Sequence, residues 1–324
     1  HGGRLCQWVT AVLESRLEGP LPGTVTITAG DQAAETPLRI EPGVQEYRCY
    51  APALWPDHPP LEAASLRVEV AGEVASARVA VGHHRPWTVY VLADDCTDYT
   101  WVYSDEQAMR ADDAELTEAE LRLCEATAGA PESERNRYNM AVARQVEFYL
   151  ERFPQHRGRL FEHIRRGDVT LNPLYNMCLT GDMSLEELIR QLYPARNWAR
   201  DEGLDISCAN HQETPAITWA MATILAGCGI RHLVKGNLPY ECPWASRYEE
   251  PPVFLWEGPD GSQVLYRRHN EDYVEAGFLL RDLRATNSAL HERILPEYER
   301  LGERYPFSAI ALVGCYGDLS AQTR

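Results

Sequence analysis

The chain has 324 residues, 44% of them hydrophobic and 24% charged, with a formal net charge of −17 at pH 7. A chain of this length can bury roughly 75% of its unfolded surface and favours two domains over one. The acidic balance argues against nucleic acid or an anionic membrane as partner, since both need an excess of Lys and Arg. No apolar run approaches the roughly 20 residues of a membrane span. Nine cysteines stand without a C-x-x-C pair, a pattern of reduced thiols that points to the cytoplasm. The first residue is His1 rather than Met, as after removal of a leader or tag. The sequence is compatible with a homo-oligomer.

Residues 1–86 read as a small, antiparallel, sandwich-like β domain. Val25, Ile27 and Ala29 alternate with Thr, Leu66, Val68 and Val70 alternate next, and Ala77, Val79 and Val81 follow a turn at Gly72. Period-two alternation between short turns describes strands with one wet face. Residues 5–13 fit a helix or a strand. Nothing in this region offers chemistry.

The pattern changes from residue 87. Val89 to Leu92 is a short apolar run, predicted as a buried strand, and it breaks into Asp94, Asp95, Cys96 and Asp98. Thr117-Glu-Ala-Glu120 has the form of a capping box at a helix start. The spacing of Val142, Val146, Tyr149, Leu150 and Phe153 predicts a helix over 138–153, followed by a strand near 169–175. Ser184-Leu-Glu-Glu187 starts a third helix with Leu185, Leu188, Ile189 and Leu192 on one face. Residues 206–209 form a strand, and Thr214-Pro215 caps a helix bearing Ile217, Met221, Ile224 and Leu225. Residues 233–234 are a strand, 253–256 and 263–267 a hairpin, 280–302 largely helix, and 309–313 the last strand.

Strands alternating with helices imply a parallel sheet or barrel with crossover helices. Polar groups then collect at the strand ends: Asp94 to Asp98, Asn172 to Asn176, Asn210 with His211 and Glu213, Lys235 with Asn237, and Tyr316 with Asp318. That edge is where α/β proteins bind ligands. Carboxylates beside a cysteine also form a metal-ligand set; a solvated acidic loop is the plain alternative.

Four segments resemble family 38 glycoside hydrolases, the α-mannosidases and their bacterial relatives. Leu179 to Arg196 (LTGDMSLEELIRQLYPAR) resembles the family's LTGL…EELIR helix. Ala209 to Trp219 (ANHQETPAITW) is similar to its A-M-x-x-D-x-P-G-x-T-W segment. Ala226 to Arg231 resembles A-x-A-G-I-R, and Trp87 to Asp98 resembles the strand ending in the family's H-x-D metal pair. The resemblance implies an α/β fold, a parallel (β/α) barrel of the family 38 type over 87–324, continuing past the last residue. It also implies one Zn2+ that holds two adjacent hydroxyls of a terminal sugar, with hydrolysis by two carboxylates and net retention.

The departures are specific. The family's H-x-D falls on Cys96-Thr97-Asp98, so a thiol replaces an imidazole, which zinc accepts. With Asp94 and Asp95, these residues are the expected metal ligands. The family's nucleophilic aspartate is expected near Tyr175-Asn176-Met177, where no acid stands; Asn176 becomes a sugar contact, and Asp182 is carried as the nearest carboxylate. The family's D-x-P-G aspartate falls on Glu213, the expected general acid. His211, Trp101 and Asp318 are the remaining expected substrate contacts. A further family histidine ligand is expected from beyond residue 324. The resemblance thus implies a metal-dependent glycosidase with an altered nucleophile position. The alternatives are an inactive carbohydrate-binding relative and a metal-dependent deacetylase on the same barrel.

Overall fold

The computed structural model describes residues 6–53, 64–79, 85, 87–95, 106–212, 214, 217–236, 251–268 and 288–314. The chain divides into two compact units, 1–88 and 89–324.

The first unit is built from β1 (Cys6–Ser15), β2 (Leu21–Ala29), β3 (Gln32–Ile40), β4 (Gly43–Pro52), β5 (Ala64–Val70) and β6 (Glu73–Val79). Strands β1 and β4 pair as one antiparallel sheet, and the other four lie in the order β3-β2-β5-β6. Val25, Ile27 and Ala29 are 0%, 1% and 2% exposed and pack with Ala11, Cys49, Ala51 and Leu66. The ambiguous segment at 5–13 is strand over its described part, from Cys6 on, because pairing with β4 puts Ala11 and Leu13 inside and Thr10 and Val12 outside. Ala71 and Gly72, both at positive φ, close the β5–β6 hairpin with the backbone twist that a two-residue loop requires. Strand β6 pairs with β5 as predicted over Glu73–Val79, with Val81 outside the described residues; among the described residues it is the edge of its sheet and buries little.

The second unit alternates strand and helix. Strands β7 (Thr88–Asp94), β8 (Tyr138–Asn139) and β9 (Val169–Thr170) are parallel neighbours, with β14 (Ala309–Gly314) beyond β7. A second sheet runs β10 (Cys208–His211), β11 (His232–Lys235), β13 (Gln263–Arg268), β12 (Val253–Glu257), parallel except for the expected hairpin of β12 and β13. Strand order follows chain order from β7 to β11, as a (β/α) arrangement requires. Among the described residues the two ladders do not close into a barrel.

The intervening helices are α1 (Glu106–Thr127), α2 (Arg144–Arg152), α3 (Arg157–Arg166), α4 (Leu185–Arg190), α5 (Tyr193–Glu202), α6 (Ala220–Gly227) and α7 (Leu295–Leu301). Tyr149, Leu160, Phe161, Leu188 and Leu225 pack from them onto the strands. Within 280–302, the described part is helical, a π-turn at Leu290–Ile294 running into α7.

Four sequence expectations need correction. Thr117 is no cap: α1 already runs from Glu106, and Thr117 sits buried in its interior. The helix expected from 138 begins only at Arg144, because Tyr138 and Asn139 form a strand and Val142 lies in the turn after it. Helix α6 begins at Ala220, so Ile217 precedes it, and Pro215 lies outside the described residues. Strand β7 was expected to be buried, yet Tyr90 and Val91 are 56% and 45% exposed. It meets β8 only through Ala93 and Asp94, so its first half projects past that neighbour. By contrast, the capping box at α4 is complete: Glu187 N donates to Ser184 Oγ, and Ser184 N donates to Glu187 Oε2.

Candidate functional site

Strand β7 ends at Asp94, and Asp95 follows it with no exposed surface. Tyr138 Oη and Ala141 N donate to Asp95 Oδ1 at 3.2 and 3.3 Å, and Gln145 Nε2 donates to Oδ2 at 2.5 Å. The same amide nitrogen donates to Asp113 Oδ1 at 3.1 Å. Both carboxyls are fully buried. Burial, and then the charge of Asp113, hold the Asp95 carboxyl well above the ordinary carboxylate range. Two dry acids meeting at one amide share a proton at neutral pH rather than carry two charges.

Asn172, just past β9, joins the strand ends. Its Nδ2 donates to Ala141 O and, at 2.7 Å, to Asn210 O. Its Oδ1 accepts from Asn210 N at 3.2 Å and Leu174 N at 3.3 Å. The side-chain amide thus gives β10 the pair of bonds that a ladder partner would give, across the gap between the two sheets. Ala141 links the clusters, with its N–H on Asp95 and its carbonyl on Asn172. The result is a buried polar chain across the C-terminal ends of β7, β8, β9 and β10.

Beyond it lie His211 at the end of β10 and Lys235 at the end of β11, both buried. His211 Nε2 stands 3.1 Å from Cys178 O, and Nδ1 stands 2.9 Å from Thr214 Oγ1. A carbonyl only accepts, so the ring proton is on Nε2, and Nδ1 accepts from the threonine hydroxyl. Burial, and then the Lys235 charge, lower the His211 pKa to about 4, which keeps the ring neutral. Lys235 Nζ donates to Thr214 O at 2.6 Å and to Gly236 O at 2.8 Å. Thr214, predicted as a helix cap, is held from both of its polar ends instead.

The other predicted residues divide as follows. Asn176 is half-buried; its N–H donates to Gln191 Oε1 at 3.1 Å, and its own Oδ1 is buried without a hydrogen-bond partner among the described residues. Asp182 is exposed at the end of the 3-10 turn Thr180–Asp182, of which Thr180 is buried, and takes no part in the buried chain. Tyr175 Oη donates to Glu147 Oε2 at 2.7 Å, and Trp219, 61% exposed, donates from Nε1 to Glu257 O at 2.6 Å. Cys96, Asp98, Trp101, Glu213 and Asp318 lie outside the described residues. Among the described residues no three His, Cys, Asp or Glu side chains are grouped to hold a metal ion. The six described cysteines are free thiols. No helix among the described residues is long and apolar enough to cross a membrane.

Asp113, Tyr138 and Gln145 were not foreseen, and Lys235 was noticed without a role. A signal for two of them existed. Asp113 falls on the buried stripe of α1, with Met109, Thr117, Leu121 and Cys124, and Gln145 lies one turn before Tyr149 on α2. A polar residue in the phase of a helix's apolar stripe is a candidate for a buried network.

The model of the "Glycosyl hydrolases family 38 N-terminal domain" matches residues 86–304. Among solved structures, the chain is similar to an alpha-mannosidase from Enterococcus faecalis V583, at 16% identity and a TM-score of 0.56 over 72% of this chain and 25% of that one. It is also similar to a glycosyl hydrolase family 38 protein from Enterococcus faecalis, at 13% identity and a TM-score of 0.51 over 71% of this chain and 24% of that one. The chain therefore spans about a quarter of the length of these two proteins. No curated protein sequence matches it.

Proposed function

Because the chain belongs to glycosyl hydrolase family 38, we propose that it is a metal-dependent glycosidase of the α-mannosidase type, acting on the terminal sugar of a glycan. The observation that carries this reading is the buried polar chain at the C-terminal strand ends, the edge where α/β enzymes place their chemistry. A sheet needs no such chain for stability, since apolar residues of similar shape would fill the space at lower cost.

The proposed zinc ligands are Cys96, Asp98 and Asp94, thiolate and carboxylate donors that zinc accepts. Asp95 does not fit as a ligand, since both its oxygens are engaged and it shares a proton with Asp113. Its work is to fix the end of β7, three residues before Asp98. When bound, the ion would supply a Lewis acid that orients adjacent sugar hydroxyls.

Hydrolysis with retention needs two carboxyls on opposite sides of the anomeric carbon. Glu213 is the proposed general acid. Asn176 stands where the resemblance expects the nucleophile; an amide cannot form a glycosyl ester, and its unpartnered Oδ1 suits a substrate hydroxyl. Asp182 is the proposed second carboxylate, and closed barrel architecture is part of the same proposal.

The test is hydrolysis of 4-nitrophenyl glycosides, α-mannoside first, by zinc-loaded protein. Release is expected, and Glu213→Gln is expected to lower kcat by about 100-fold or more. No release from any glycoside, or full activity in Glu213→Gln, would contradict the proposal.

A further inference from the structure

We infer that the cleft between α5 and α6 is a second binding site, which takes a sugar-sized organic anion, a carboxylate or a phosphate, on Arg196. It lies at the other edge of the sheet from the candidate site. Gly227, Cys228 and Gly229 precede β11, whereas His211 and Lys235 stand at the C-terminal ends of β10 and β11. The inference does not rest on the glycosidase reading.

Three observations carry it. First, the cleft has a volume of about 590 Å³ and is lined by Tyr193, Arg196 and Asn197 of α5 and by Gly227, Cys228 and Gly229. Small-molecule sites occupy roughly 300–1,000 Å³. Residues at i, i+3 and i+4 share one face of a helix. Helix α5 therefore turns an aromatic ring, a guanidinium and an amide to the same side.

Second, Arg196 stands apart by charge. The chain carries 48 acidic residues against 31 lysines and arginines. From Arg110 to Arg231 the other arginines pair with carboxylates, except Arg135, which donates to Ala130 O. Arg196 pairs with no carboxylate among the described residues, and its charge acts on the Cys228 thiol. Burial raises the pKa of that thiol by more than Arg196 lowers it, so the sulfur stays neutral and leaves the guanidinium charge uncompensated. A guanidinium offers a planar fork of donors that matches a carboxylate or a phosphate.

Third, Gly227 keeps the cleft open. It is the last residue of α6, and glycine is a poor helix former. The left-handed residue that turns the chain out of the helix is Gly229, at φ 79°, so the backbone has no need of glycine at 227. A Cβ added at Gly227 would meet nothing within 4 Å. What the missing side chain provides is space beside Arg196.

Titration calorimetry of the zinc-loaded protein with glucuronate, glucose 6-phosphate and glucose tests this. At least one of the two anions is expected to bind about 10-fold or more tightly than glucose, and the tighter of the two identifies the group recognised. Arg196→Met removes the fork, and Gly227→Leu fills the cleft. Each is expected to weaken anion binding by about 10-fold or more with the circular dichroism unchanged. Asp98→Ala, placed at the proposed zinc site, should bind the anion as the wild type does. The inference is overturned if neither anion outbinds glucose, or if either folded cleft variant keeps wild-type affinity. Binding lost in Asp98→Ala but kept in Arg196→Met would assign the anion to the zinc and overturn it as well. Should Gly227→Leu not fold, Arg196→Met, a change at an exposed side chain, decides alone. Absence of glycosidase activity would sink the functional proposal and leave this test intact.

Discussion

The two units bury different kinds of atoms. In the first, only Gln7 and Thr36 are buried polar residues among those described, and the core is Val25, Ile27, Cys49, Ala51 and Leu66. The second buries Asp95, Asp113, Gln145, Asn172, His211 and Lys235 beneath comparably dry apolar packing. Each such group must recover in hydrogen bonds what it loses in hydration. The first unit is held by burial of apolar surface, and its polar atoms are free to face water. The second sets aside part of its stability to keep charged and amide groups dry at one edge, which a binding or catalytic site needs and a scaffold does not.

The largest expected effect sharpens that contrast through a pair of truncations. Asn172→Ala strips four bonds from Ala141, Leu174 and Asn210 and should cost on the order of 4 kcal/mol. Ile27→Ala removes only apolar contacts and should cost about 3 kcal/mol. Urea unfolding with amide-exchange protection read at β10 and at β2 checks both. Loss of protection at β10 is expected for Asn172→Ala, while Ile27→Ala should lose it at β2. Equal loss at both strands in either variant would break the comparison.

A smaller effect concerns pH. The folded-state pKa of His211 is lowered from 6.5 to about 4, so the unfolded chain binds the extra proton first as pH falls. The stability from keeping the ring neutral is present above 6.5 and is lost as pH falls towards about 4. Unfolding should therefore be about 2 kcal/mol easier at pH 5 than at pH 7 through this group. His211→Asn should flatten that dependence, and a wild-type slope in the variant would contradict it.

The readable parts of this fold are those where one period governs a segment. The alternation in β2 and β5 and the capping box at Ser184 are local, and the structure keeps them. The misread parts are those where tertiary contacts override local form. Thr117-Glu-Ala-Glu120 imitates a helix start, but its acids point at partners: Glu118 meets Arg159, Arg122 and Tyr149, and Glu120 accepts from Asn136. Val142 keeps helical spacing with Val146 across a turn, which extended a nine-residue helix back over a strand.

The site was legible as a position more than as a set of roles. Acids, amides and a histidine at successive strand ends mark the edge before any coordinates. Which of them touch is a matter of side-chain reach across strands far apart in sequence. Asp95 meets Gln145 fifty residues on, and Asn172 meets Asn210 across 38. No periodicity encodes such pairings. Asp95 was read as a ligand for its place beside Cys96, and only the contacts of Tyr138, Ala141 and Gln145 assign it to support.

The central claim is that this polar edge exists to hold a zinc ion and a sugar. Metal analysis of the purified protein, with Cys96→Ser and Asp98→Ala beside it, tests that directly. The account predicts about one zinc per chain in the wild type, lost in both variants while circular dichroism stays unchanged. A folded wild-type protein that takes up no zinc, or variants that hold it as tightly, would contradict the account.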